Sequence, residues 1–317
     1  MLTSHAPVVV GLFILTSQGV SAAAPLPPVV IVPGDGSNIL EAKLNKPSVR
    51  HWYCSKSSDW YRLWLNTANL LSTTSCWADN IRLEVDATTG RASNAPGVET
   101  RVPFWGSTEG LEELDPQIPG HATATFYQMV RALVAAGYVR NVSLRGAPYD
   151  FRYTPDSSGL VPRLRTLVEQ AVATAAGRPA TLVSHSMGGL QTLYFLRQQT
   201  AAWKARHIAR WVSISTPFAG SAQLARLFAT GDSEGLPVAP SLVRDEQRSY
   251  ESNHWLYPTA YVGSPWRGFP LVRTDAANYT VSKGVTNLLH NCGPGSGPQV
   301  LALAPGLGPG LWPWPWL

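Results

Sequence analysis

Charge is scarce in this chain. Of 317 residues, 14% are Asp, Glu, Lys or Arg, and the net charge of +5 comes from scattered cations with no dense basic run. That argues against a polyelectrolyte tail or a basic groove, and no nucleic-acid partner is expected. Histidine is equally sparse, at seven. No histidine and carboxylate cluster has ligand spacing, so neither a metal nor an organic cofactor is implied. G-x-G-x-x-G is absent, which leaves nothing to cradle a dinucleotide phosphate. No apolar run is long enough to cross a bilayer as a helix. Cysteine stops at three. Cys54 and Cys76 bracket 21 residues and suit either a local disulfide in a secreted chain or two buried thiols, while Cys292 has no evident partner.

Apolar residues are plentiful at 44%, enough to fill a core. Twelve tryptophans exceed what such a core needs, which places some at a surface. The opening stretch Pro7 to Leu15 is apolar and leads into Val20-Ser21-Ala22, a small-residue cleavage pattern, although no lysine or arginine precedes it. A secretory leader over 1–24 follows as the expectation, with export to an oxidising compartment. The sequons at Asn141 and Asn278 fit that route as glycan acceptors.

Residues 25–40 begin a core with the strand Val29 to Val32 and the turn "PGDGSN". From 41 to 80 the pattern breaks into short Trp-, Tyr- and Leu-rich pieces, expected as an inserted subdomain. The core resumes over 81–217, with a hairpin around Leu83 and Val85, loop from Asn94 to Gly120, and then a regular rhythm. Helix is predicted around Phe126, Met129, Val130 and Leu133, strand at Val142 to Leu144, and helix through Leu160, Leu164, Leu167 and Val168. "ATLVS" then reads as buried strand, Met187 to Gln199 as helix, and "IARWVSIST" as strand. Strands alternating with helices predict an α/β fold, a mostly parallel doubly wound sheet. Residues 218–282 read as a cap. The stretch 283–317 carries Gly/Pro spacing that forbids a regular helix and is expected to be an unstructured tail.

One short stretch carries chemistry. In "LVSHSMGGLQ", Ser186 follows a buried strand and precedes a helix. Such a turn presents a hydroxyl at the carboxyl edge of a sheet, where a helix N-terminus favours developing negative charge. Ser184 stands where G-x-S-x-G has its first glycine, so the pentad by itself also suits an ordinary helix cap. Acyl transfer needs two oxyanion donors; the amides of Met187 and of Asp35, in the "PGDGSN" loop, are placed to serve. His185 is adjacent, but a side chain beside the turn points away from the hydroxyl and cannot be its base.

Together "VIVPGDGSNILEAKLNKPSV", "CWADNIRL", "RGAPYDFR", "LVSHSMGG", "SISTPFAGS" and "LFATGDSEGLPV" closely resemble the lecithin:cholesterol acyltransferase family over about 27–282. The "RGAPYDFR" and "SHSMG" versions lean towards its lysosomal phospholipase branch. The resemblance implies an α/β-hydrolase with a membrane-binding subdomain at 41–80 and a cap. It implies an acyl-serine on Ser186, with the Asp35 and Met187 amides as oxyanion donors. The acyl chain would move from a glycerophospholipid to water or a lipid alcohol. Cys54 and Cys76 match that subdomain's disulfide, and Trp60, Trp64, Leu65, Leu70 and Leu71 are its candidate bilayer-facing or lipid-receiving residues. Expected partners are phospholipid membranes or a lipoprotein surface, acting on a monomer in the lysosome or outside the cell. "GDGSN" departs from the family, which commonly has Leu-Gly at Gly36-Ser37.

The family's acid and histidine would follow Ser282. Downstream of Ser186 this sequence offers only His207, His254 and His290, none expected to close a sheet strand, and Asp232, Asp245 and Asp275 read as cap or loop. The expectation is a truncated form, an alternative splice product or incomplete gene model, with its last strands missing and turnover impaired. The alternatives are a catalytically inactive lipid-binding form and a soluble esterase for small substrates.

Overall fold

The computed structural model describes residues 26–281, apart from 87, 274, 276 and 277. The expected leader (1–24) and tail (283–317) lie outside the described residues. Four parallel strands form the central sheet, in the order Leu144–Gly146, Val29–Val32, Ala180–His185, Ile208–Ile214. Val29–Val32 is fully buried because its side chains alternate between two cores. Val30 and Val32 point into the larger, with Leu182, Leu164 and Phe195; Val29 and Ile31 point into the smaller, with Leu144, Phe126 and Val130. A continuous apolar strand requires this two-sided cover. The result is a mixed α/β fold.

The covering helices follow the sequence rhythm. Leu160–Thr174 buries Leu160, Leu164, Leu167, Val168 and Ala171, which recur at the spacing of one helix face. Tyr127–Ala135 buries Val130 against the opposite face of the sheet. Met187–Arg197 follows the third strand directly and contacts it and the first strand. Ile208–Ile214 pairs only with Ala180–His185 among the described residues, and its Val212 is exposed.

Residues 40–101 add a three-stranded antiparallel sheet, in the order Ser57–Trp64, Leu40–Asn45, Val98–Arg101, and the helices Thr67–Ser72 and Thr74–Ile81. Cys54 and Cys76 are joined by a disulfide, which ties the second of these helices to the segment before the strand Ser57–Trp64. Leu83–Val85 and Ala92–Asn94 form the expected hairpin.

Two local expectations differ from the structure. Val98–Arg101 lies where loop was expected; it buries only Val98, so its sequence carries no alternation to read. The strand expected at Val142 to Leu144 is shifted to Leu144–Gly146. The Val139 carbonyl accepts from the amides of Val142, Ser143 and Leu144, and Asn141 has φ 65°, so a tight turn takes up those residues and leaves Val142 exposed.

Candidate functional site

Ser186 stands between the strand Ala180–His185 and the helix Met187–Arg197, at φ 52° and ψ −128°. A non-glycine residue in that region is strained, and strain of this kind persists only where surrounding structure enforces it. Here the Ser186 amide donates to the Ile214 carbonyl at 2.9 Å, and the Gly189 amide donates to the Ser186 carbonyl at 3.0 Å. Both glycines after Met187 are needed for close approach. A Cβ at Gly188 would lie 2.2 Å from the Pro33 carbonyl oxygen, and one at Gly189 would lie 1.8 Å from Thr216 Oγ1. The helix N-terminus is thereby pressed against the end of the first strand. Met187 opens that helix, so its amide belongs to the first turn, which has no intrahelical acceptor.

The "PGDGSN" loop reaches the same place. A Cβ at Gly34 would lie 2.9 Å from Ser186 Cβ, so the loop's backbone touches the serine directly. Hydrogen bonds fix this loop from several sides. The Ser37 amide donates to the Gly34 carbonyl (3.2 Å), and the Tyr149 hydroxyl donates to the Pro33 carbonyl (3.0 Å). Asn38 Oδ1 accepts from the Tyr149 amide (3.3 Å), and the Trp64 indole N–H donates to the Gly36 carbonyl (2.6 Å). Sequence reasoning missed Tyr149 and Asn38. Their signal was present in "RGAPYDFR" and "PGDGSN", but only the fold makes them partners.

Ser186 opens onto a cleft of about 520 Å³, lined among others by Asp35, Ser215, Arg226, Asp232 and Glu234. An adjoining pocket shares Asp35, Asp232 and Glu234 and adds Trp64, Trp77, Phe151, Tyr250 and Glu246. This carboxyl group cluster was not foreseen. Burial pushes the Asp35 carboxyl up to about 7, with the Gly36 amide working against it. Desolvation, then the charges of Asp35 and Asp232, push Glu234 up to about 8. Glu234 is nonetheless exposed by accessible area, so water entering the cleft weakens the burial contribution and the like charges carry the direction. Glu246, 3% exposed, is raised well above the carboxylate range by burial. Near neutral pH the cleft therefore carries less negative charge than its composition suggests.

No histidine is among the described residues lining the cleft. The His185 ring packs edge-to-face on Phe126, and burial lowers its pKa. His254 stacks on Phe228, with Nε2 against the Arg248 carbonyl, and His207 stacks on Trp203. His290 lies outside the described residues. Asp232 lines the cleft, but its carboxylate is taken by Arg226 and Gln223.

The lipid-facing candidates divide. Leu71 is exposed, and Trp60 is half-buried beneath Arg101, whose guanidinium lies 4.3 Å from its ring. Leu65 and Leu70 are buried in the core, and Trp64 is half-buried with its indole N–H on the Gly36 carbonyl. Leu70 and Leu71 are neighbours on one helix, and only one of two adjacent positions can share the core-facing side. Trp64 and Leu70 line the pocket beside Asp35. The exposed aromatics near the disulfide are Trp52 and Tyr53. Asn141 and Asn278 are both exposed.

A family model described as "Lecithin:cholesterol acyltransferase" matches residues 60–292. The "Lysosomal phospholipase A and acyltransferase" proteins of Canis lupus familiaris and Homo sapiens are each 44% identical to this chain over 259 residues, which cover 80% of it and 62% of each relative. "Lecithin-cholesterol acyltransferase-like 1" of Arabidopsis thaliana is 39% identical over 304 residues, covering 88% of this chain and 69% of that protein. The chain thus spans 62% of the length of the lysosomal relatives it matches.

Proposed function

Because this chain belongs to the lecithin:cholesterol acyltransferase family and is of its lysosomal type, we propose that it carries the acyl-accepting serine of a phospholipase and O-acyltransferase. Ser186 Oγ attacks the ester carbonyl of a glycerophospholipid. The amides of Asp35 and Met187 receive the developing oxyanion. Collapse breaks the ester bond, expels the lysophospholipid with the proton that Ser186 gave up on its oxygen, and leaves an acyl-serine. Water or a lipid alcohol then takes the acyl chain. The arrangement is that of an α/β-hydrolase, with residues 41–80 as a membrane-binding subdomain and 218–282 as a cap. The observation that carries this reading is the strained Ser186 turn held against the Gly34–Asp35 backbone.

The described cleft lining holds no histidine to serve Ser186 as base. Turnover that rested on binding and oxyanion stabilisation alone would be slow. The chain acts at membranes in a lysosomal or secreted setting. The test is incubation with phospholipid liposomes, mass spectrometry of released fatty acid, and fluorophosphonate labelling. Labelling that disappears in Ser186→Ala supports the proposal; labelling retained in that variant, or acyl release independent of it, refutes it.

A further inference from the structure

The stretch between Ser252 and Arg273 contains no aspartate or glutamate. Within it a turn places Val262 and Phe269 in solvent, 80% and 52% exposed. Trp266 packs edge-to-face on Phe269, with ring centroids 6.1 Å apart. Arg267 and Arg273 are exposed, with no ion-pair partner among the described residues. Single exposed apolar side chains are ordinary on any protein. Two large ones in one turn, with a half-buried tryptophan packed on Phe269 and the exposed Arg267 between them in sequence, make a patch of defined chemistry.

The exposure is built by ordered backbone. The Ser264 amide donates to the Tyr261 carbonyl (3.0 Å), the Arg267 amide to the Ser264 carbonyl (3.2 Å), and the Phe269 amide to the Trp266 carbonyl (3.2 Å). Ser264 Oγ donates to the Thr259 carbonyl and accepts from the Trp266 amide at 3.2 Å. These turns satisfy the backbone locally and leave the apolar side chains outside. The same segment is attached to the cleft. The Thr259 amide donates to the Ala219 carbonyl (3.0 Å), and the Leu256 carbonyl accepts from the Ser221 amide (2.9 Å). Ser221 and Leu256 both line the cleft of Ser186, and Phe218, three residues before Ser221, is 40% exposed.

We infer that the turn at 261–269 is a second lipid-surface contact, separate from the disulfide-linked subdomain, which seats an anionic phospholipid bilayer beside the mouth of the Ser186 cleft. Val262 and Phe269 enter the headgroup and acyl boundary. Trp266 lies at that boundary, and Arg267 and Arg273 meet the anionic headgroups. Charge decides the class of occupant. Arg267 lies in a stretch free of acidic residues, and Arg273 has only Asp275 two positions on. The net positive balance is matched by an anionic surface, each uncompensated cation gaining about fivefold in affinity there. The inference deepens the lipid-acting reading of the cleft and takes its purpose from it.

The experiment uses the whole 317-residue chain and vesicles of phosphatidylcholine, with and without phosphatidylserine. Binding by flotation is compared for the unaltered protein, Phe269→Asp, Val262→Asp and Arg267→Ser, with thermal melting as the check on folding. The two Asp variants should weaken binding about tenfold or more, and Arg267→Ser should remove part of the preference for phosphatidylserine. Fluorophosphonate labelling of Ser186 should be unchanged in all three. Undiminished vesicle binding by both folded Asp variants overturns the inference while leaving the enzymatic reading intact. A lipid-free dimer that these substitutions dissociate also overturns it, because the patch would then cover a second copy. Patch-dependent binding without any Ser186 labelling upholds the inference and counts against the enzymatic reading.

Discussion

Gly34 and Ser186 touch: the space in which Gly34 would carry a Cβ is 2.9 Å from Ser186 Cβ and 3.1 Å from the His185 carbonyl oxygen. The approach of the "PGDGSN" loop to the serine is therefore set by a missing side chain. Gly34→Ala must push the loop or the turn aside by several tenths of an ångström or more. The expected outcome is a fall of about a hundredfold in the rate of fluorophosphonate labelling, since displacement of this order would misalign the proposed nucleophile and oxyanion donors. Labelling at the unaltered rate would show that the Asp35 backbone takes no part.

Arg152 is fully buried and binds five acceptors: both carboxylate oxygens of Asp150, the Ile81 carbonyl, Asn94 Oδ1 and Thr100 Oγ1. It joins the helix Thr74–Ile81 and the strands Ala92–Asn94 and Val98–Arg101 to the loop behind Tyr149. Arg152→Met leaves Asp150 without its counter-charge and several acceptors unfilled, and should cost roughly 3–5 kcal/mol in urea unfolding. Arg152→Lys should recover little, because an ammonium cannot reproduce the planar fork.

The raised carboxyls give stability a pH slope. Asp35 and Glu246 hold protons in the fold that the unfolded chain would release, so their contribution is complete below about pH 4 and is lost as pH rises. For Asp35 the loss runs from its ordinary value of 3.8 up to about 7. Asp79 opposes this at the acid end: burial works against its charge, yet hydrogen bonds from Lys46 and Arg82 hold it below its ordinary value. His185 and His254, whose pKa values burial lowers, add stability as pH rises to 6.5. The net decline in denaturation midpoints should therefore appear from about pH 6.5 towards pH 8, and Asp35→Asn with Glu246→Gln should flatten it. A midpoint that rises over this range would contradict the assignment.

Reduction of the Cys54–Cys76 bond, or Cys54→Ser with Cys76→Ser, opens a loop with a separation of 22 residues. The expected loss is about 3 kcal/mol on the loop-closure account. It should appear first as protease cleavage near the exposed Trp52 and Tyr53, ahead of global unfolding by far-ultraviolet circular dichroism.

Much of the core was legible because local patterns coincide with burial. "VVIV" is apolar and buried on both faces, as a strand between two layers of helices must be. "ATLVS" buries Ala180, Leu182 and Ser184 on alternate positions, and Leu160–Thr174 shows its buried side at helical spacing. Ser186 could be read as a turn residue from the strand before it and the helix after it. The short strand Val98–Arg101 could not be read, since it is held by pairing with Leu40–Asn45 and contributes one buried side chain.

The sequence by itself determined the parallel core, the placing of a serine between strand and helix, and the membership of the chain in its family. Tertiary structure alone decided which leucines and tryptophans of 41–80 face inward, and that Trp64 and Tyr149 hold the loop against Ser186. It also brought Asp35, Glu234 and Glu246 around adjoining pockets, although Glu234 and Glu246 lie some two hundred positions beyond Asp35. The reason is physical. Periodicity records what each residue buries against its own element, whereas a site is made by contacts between elements, and those depend on how the layers pack.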